Sequence, residues 1–149
     1  SIRVRLVLDT NIWLDWLVFD DAAIQPLKTA SGAGELHIAL NPACLEELRR
    51  VLAYPAFDIA KSQQDALIRQ VLSVSIAIED ALPAPLPLCA DPDDQKILEL
   101  ARDAQARWLI SRDKALLRLG KKTLLAAGFR IGTPQQWVTS RTSPDDYGD

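Results

Sequence analysis

Residues 3–8, Arg-Val-Arg-Leu-Val-Leu, alternate polar and apolar side chains and then turn fully apolar. That is the pattern of a strand entering a sheet buried on both faces. The run ends at Asp9-Thr10-Asn11, where Asn11 can cap a helix carrying Ile12, Trp13, Trp16 and Leu17. A second helical stretch over 22–30 stops at Ser31-Gly32-Ala33-Gly34, and 35–40 again reads as a strand. Asn41-Pro42 supplies an N-cap and a first-position proline for a helix over 42–53, which Tyr54-Pro55 breaks. Helical spacing returns over 61–74 and directs Leu67, Ile68, Val71 and Leu72 to the core; 75–78 forms a short strand.

Prolines at 83, 85 and 87 keep the next segment extended and lead to Asp91-Pro92-Asp93-Asp94, the start of a helix through Gln105. Residues 108–111 read as a strand, 113–119 as a short helix stopped by Gly120, and 129–131 as a last short strand. A helical turn from Pro134 follows, with a loose tail over 140–149 and one domain over 1–139. Strands alternating with helices predict an α/β architecture with a parallel sheet covered on both faces. In such sheets the functional crevice lies at the carboxyl ends of the strands.

Composition narrows the chemistry. With 149 residues the chain is long enough for one substantial core, and 48% apolar with 25% charged residues excludes disorder as a description of the whole. No apolar stretch is long enough to span a bilayer, and residues 1–20 lack a signal-peptide pattern. His37 is the only histidine, so sites built from two or three imidazoles of one chain are excluded. Cys44 and Cys89 belong to no CxxC pair, cannot supply four thiolates, and are expected to be reduced packing residues of a cytoplasmic protein. Catalysis, if present, is then expected to rest on carboxylates.

Four acids stand at the ends or borders of elements. Asp9 follows the first strand and Asp113 follows the strand over 108–111, so both reach one sheet edge; each also suits a helix cap. Asp91, Asp93 and Asp94 crowd one helix N-terminus, where the dipole favours negative charge. Capping explains Asp91 but not three acids in four positions, and helical geometry does not choose firmly between Asp93 and Asp94. On the helix from Pro42, the residues Cys44, Leu45, Leu48, Val51 and Leu52 form an apolar stripe about 120° wide. Glu46 falls opposite it, whereas Glu47 falls on its border, free to face a crevice or to pair with Arg49 or Arg50. Carboxylates held together repel, and a hard divalent cation is the usual remedy. Mg²⁺ or Mn²⁺ would also lower the pKa of an attacking water and neutralise charge on a phosphodiester.

Val7-Leu8-Asp9-Thr10-Asn11 before an apolar helix, Glu47-Leu48 within a helix, Asp94 three residues before Ile97, and Ser111-Arg112-Asp113-Lys114 together resemble PIN-domain ribonucleases, from about residue 4 to 132. The segment from Asp91 to Ala101 is similar to a bacterial branch of VapC-like toxins of toxin–antitoxin pairs. The resemblance implies a Rossmann-like α/β/α sandwich with a central parallel sheet, often dimeric, and a Mg²⁺- or Mn²⁺-dependent endoribonuclease with a cognate antitoxin. It carries metal-site roles onto Asp9, Glu47, Asp94 and Asp113, prefers Asp94 to Asp93, and gives Asn11 and Ser111 supporting hydrogen bonds. Gln95 departs from the branch, which often has an acid there.

Charge divides the chain. Residues 1–101 carry eight basic and fifteen acidic side chains, whereas 102–130 carry eight basic and two acidic. Arg107, Arg112, Lys114, Arg118, Lys121 and Lys122 could line a path for an RNA backbone beside an acidic centre, or form a solvated face balancing the acidic half. Arg112, Lys114 and Arg118 are the candidate substrate contacts. Trp13 and Trp16 share a helix face, where core packing precedes a dimer or antitoxin contact. Two other functions fit the same acids: a receiver-like phosphotransfer protein using Asp9 as nucleophile, and a catalytically inactive PIN-like binding module. The first lacks an Asp-x-Asp pair.

Overall fold

The alternating then fully apolar segment at 3–8 forms the middle of the sheet. The structure, a computed structural model, describes residues 4–89 and 91–142. Strand β1 (Val4–Leu8) buries Leu6, Val7 and Leu8 completely, as a strand covered on both faces must. It pairs in parallel with β2 (Leu36–Leu40) and β4 (Trp108–Ile110); β3 (Ser75–Ala77) and β5 (Arg130–Gly132) form the two edges. The order β3-β2-β1-β4-β5 reverses direction between β1 and β4. Open α/β sheets bind ligands outside the carboxyl ends of the strands at such a switch point. Register pairs Leu8 with Ile110, so Asp9 and Ser111 emerge side by side there.

The sheet is flanked by α1 (Thr10–Leu17), α2 (Gln25–Gly32), α3 (Pro42–Leu52), α4 (Lys61–Val74), α5 (Pro92–Asp103), α6 (Lys114–Leu117), α7 (Gly120–Ala127) and α8 (Pro134–Thr142), with 3-10 turns at Ala22–Ile24 and Pro55–Phe57. Their buried stripes close one core. Each fully buried Leu or Ile contributes ~1.5–3 kcal/mol by leaving water. Trp13 and Trp16 are both in that core, ring centroids 5.5 Å apart, which satisfies the packing expectation for the pair.

Several expected boundaries moved. Asn11 does not cap α1; Asp9 does, accepting from the Thr10 N–H, so the helix starts two residues earlier and leaves Asn11 exposed in its first turn. Gly120 does not stop a helix but begins α7, which packs against β5. The stop is Gly128, at φ 80°, whose N–H bonds the Thr123 and Leu124 carbonyls. Leu72 is 50% exposed: α4 packs on α3 and the three-residue edge strand β3, which cover Leu67, Ile68 and Val71 only. Helix α5 ends at Asp103, and Gln105 adopts φ 53° to turn the chain into β4. Helix α8 runs to Thr142, three residues into the segment expected to be loose; 143–149 lie outside the described residues.

The proline segment is strapped along α5. The Leu82 N–H donates to Asp103 at 2.9 Å and Arg102 donates to the Ala84 carbonyl at 3.3 Å. Gln95 closes the strap, accepting from the Cys89 N–H at 2.7 Å and donating to the Pro87 carbonyl at 3.3 Å. An acid at 95 could accept but not donate, which is why an amide fits here. Among the described residues, no helix is long and apolar enough to cross a membrane.

Candidate metal centre

Each acid reaches the switch point from a different element. Asp9 ends β1 and caps α1: its Oδ1 accepts from the Thr10 N–H at 2.8 Å and its Oδ2 from the Ser111 hydroxyl at 2.7 Å. Ser111, fully buried, links two acids, since its Oγ also accepts from the Asp113 N–H at 2.9 Å. Asp113 caps α6 through the Ala115 N–H at 2.8 Å. Glu47 leaves the border of the α3 stripe and accepts from the Thr10 hydroxyl at 2.9 Å rather than pairing with Arg49 or Arg50. Asp91 caps α5, accepting from the Asp93 N–H at 2.9 Å, and places Asp94 in the first turn.

The charges act on one another. Asp94 is half-buried, and its pKa is pushed up to about 6 by burial and then by Asp113, Asp91, Asp9 and Glu47. Burial raises Asp9 as well, with Asp113 adding repulsion, while hydrogen bonds from Ser111 and Thr10 pull the other way. Glu47 is raised by burial and by Asp93 and Asp9, against the Thr10 hydrogen bond. Asp93 is exposed, 3.7 Å from Lys96, and its charge falls on Glu47; Asp94 faces the charges of Asp113 and Asp9. Cys44 lies behind the acids, its thiol pushed up to about 12 by burial and by Glu47 and Asp9, so it is no nucleophile at neutral pH.

Thus Asp9, Glu47, Asp94 and Asp113 come together at one edge. Asn11 does not join them: it is exposed, and among the described residues its side chain makes no hydrogen bond to an acid. Thr10 stands in that place instead, binding Asp9 through its amide and Glu47 through its hydroxyl. The sequence signal was a hydroxyl at the first helical position directly after an aspartate.

A sequence profile of the PIN domain matches residues 5–115, an interval that contains all four acids. The chain belongs to the PIN domain family. Members of the PIN domain family are generally nucleases. Among solved structures, the chain is similar to one in a crystal structure of VapBC2 from Rickettsia felis bound to a DNA fragment from their promoter. The TM-score is 0.58 at 15% identity, over 86% of this chain and 97% of that one; at that identity the likeness speaks to the fold. No curated protein sequence matches the chain.

In this PIN domain the basic residues after the third acid differ in position. Lys114 and Arg118 are exposed beside Asp113. Arg112 pairs with Asp15 on α1, with Asp21 3.7 Å away, so it clasps the Ser111–Asp113 turn to α1 rather than reaching for a ligand. Asp15 sits raised by burial, and Arg112 is what offsets that. Arg112→Ala should therefore lower Tm by roughly 2–4 °C, the equivalent of about 1 kcal/mol, as read by thermal denaturation. An unchanged Tm with weakened RNA binding would reassign Arg112 to substrate.

Proposed function

We propose that the chain is a Mg²⁺- or Mn²⁺-dependent endoribonuclease, the toxin of a toxin–antitoxin pair that acts in the cytoplasm as a homodimer and is held in check by a cognate antitoxin. The observation that carries this reading is the convergence of Asp9, Glu47, Asp94 and Asp113 at the switch point of a PIN fold, three of them with raised pKa values. The likeness to a chain of the VapBC2 assembly supports the toxin–antitoxin part. The free thiols of Cys44 and Cys89 suit a reducing compartment.

The donor set fits a hard divalent cation: oxygen ligands only, with mutual repulsion waiting for a counter-charge. Among the described residues, no three side chains converge tightly enough to enclose an ion by themselves. Mg²⁺ or Mn²⁺ bound there would draw on the carboxylates of Asp9, Asp94 and Asp113, with Glu47 beside them and waters and a substrate phosphate completing the shell. Bound there, the ion supplies Lewis acidity toward the phosphodiester and a lowered pKa for water.

The chain's own residues do the positioning. Ser111 fixes the Asp9 carboxylate plane and the Asp113 backbone together, and Thr10 ties Asp9 to Glu47, so these three acids are held relative to one another. Carboxylates are the bases available at the edge, since His37 lies in β2, paired with Arg5 in the middle of β1. Lys114 and Arg118 supply positive charge next to the centre for the RNA backbone.

The test is cleavage of end-labelled single-stranded RNA, with DNA of the same sequence in parallel. Cleavage of RNA in Mn²⁺, abolished by EDTA and restored by excess Mn²⁺, is the expected result. Cleavage that persists in EDTA, or none in any divalent cation, would overturn the reading.

A further inference from the structure

A concavity that none of the four acids lines is built largely from the C-terminal elements. It encloses about 490 Å³ between β4, β5, α6, α7 and α8, within the size range of ligand sites. Its apolar lining is Trp108, Leu117, Leu124 and Ile131. The placement of Trp108 depends on Gly132: a Cβ there would lie 2.4 Å from the Trp108 ring, so only a glycine lets the indole lie across β5. Lys121 and Arg130 also line the concavity, both exposed, and among the described residues neither is paired with a carboxylate. An aromatic ring and two unneutralised cations lining one concavity are the combination that binds single-stranded nucleic acid, base on ring and phosphate on cation.

The position relative to the acids matters as much as the composition. Helix α6 is capped by Asp113 at the acidic edge, and its last residue, Leu117, lines the pocket. Four helical residues advance about 6 Å, so a single strand leaving the acids meets the pocket within a few nucleotides. Exposed Arg118 and Lys122 flank that route. Every pocket residue except Trp108 lies beyond residue 115, where the family match ends.

We propose that this pocket is an RNA exosite that grips the strand a few nucleotides from the scissile phosphate, stacking a base on Trp108 and pairing phosphates with Lys121 and Arg130. The inference rests on the ribonuclease reading. Its test uses the full chain with Lys121→Ala and Arg130→Ala combined, two exposed positions whose truncation leaves the core intact. Fluorescence anisotropy in EDTA, with RNA of about twelve nucleotides, follows binding without cleavage. The double variant should bind about tenfold more weakly, and its slope of log affinity against log salt should be shallower by ~1.4, two phosphate contacts on a single strand.

Equal affinity and equal slope, in a protein whose parent cleaves and binds RNA, overturn the exosite and leave the nuclease reading standing. A parent that neither binds nor cleaves RNA overturns both. A third outcome also counts against the exosite: RNA affinity unchanged while the double variant loses binding to an acidic peptide, such as residues 143–149, would make the pocket a protein-docking site.

Discussion

Asp94→Asn protein is expected to lose RNA cleavage by a thousandfold or more, yet to unfold in EDTA at a higher temperature than the parent. Both effects have one origin. Asp94 is raised to about 6 because burial and four neighbouring carboxylates oppose its charge. An amide of the same shape removes that repulsion, and a gain of about 2 °C in Tm is expected. On the proposed function the same substitution would remove a cation ligand, and loss of several kcal/mol of transition-state charge stabilisation is about a thousandfold in rate. Glu46→Gln is the control, since Glu46 faces water opposite the buried stripe of α3 and should change neither quantity. A variant that loses cleavage and also loses stability would mean that Asp94 is a structural residue of the α5 N-terminus.

The second large effect is on stability as a function of pH and metal. Asp9, Glu47 and Asp94 have folded-state pKa values above those of exposed carboxylates, all three chiefly through burial. A raised acid binds more protons in the folded than in the unfolded chain, so its contribution is fully present below the unfolded pKa, near 4, and is lost as pH rises through the folded value, about 6 for Asp94. In EDTA, Tm should therefore rise as pH falls from 7 toward 5. Saturating Mn²⁺ at pH 7 should reverse the slope, because the ion needs ionised ligands. At a hundred times its dissociation constant it adds about 2.7 kcal/mol, or roughly 5–10 °C. Calorimetric scans at pH 5 and 7, with and without Mn²⁺, read all four states; a Tm in EDTA that rises from pH 5 to 7 would contradict the arrangement.

Much of this was legible in the sequence, because it lies on period and punctuation. Helix α4 occupies the interval that its apolar spacing marked, and Asn41-Pro42 and Asp91-Pro92 start their helices as cap and first residue. The four acids could be gathered to one edge because three of them sit where a strand ends or a helix begins, and Glu47 sits on the border of an unambiguous stripe. What the sequence left hidden depends on partners distant in the chain. Thr10 and Asn11 both follow the aspartate with a hydrogen-bonding side chain, and the position of Glu47, 37 residues on, decides which of them supports the site. Gly120 reads as a stop until Ile131 is seen beside it. Arg112 reads as a phosphate ligand until Asp15 is placed next to it, and the Trp108 pocket exists only once Gly132 is aligned with β4.

Charge shows the same dependence on the fold. The acidic excess before residue 102 and the basic surplus after it meet along α6, with Asp113 at one end and the pocket-lining Leu117 at the other. A net charge of −3 conceals an acidic centre bordered by a cationic flank.

The most direct measurement is titration calorimetry of Mn²⁺ into the parent and into Asp9→Asn, Asp94→Asn and Asp113→Asn proteins at pH 7. A shared cation site at the switch point predicts saturable binding by the parent and a loss of at least about tenfold in affinity for each variant. Equal Mn²⁺ binding by the parent and all three variants would contradict it.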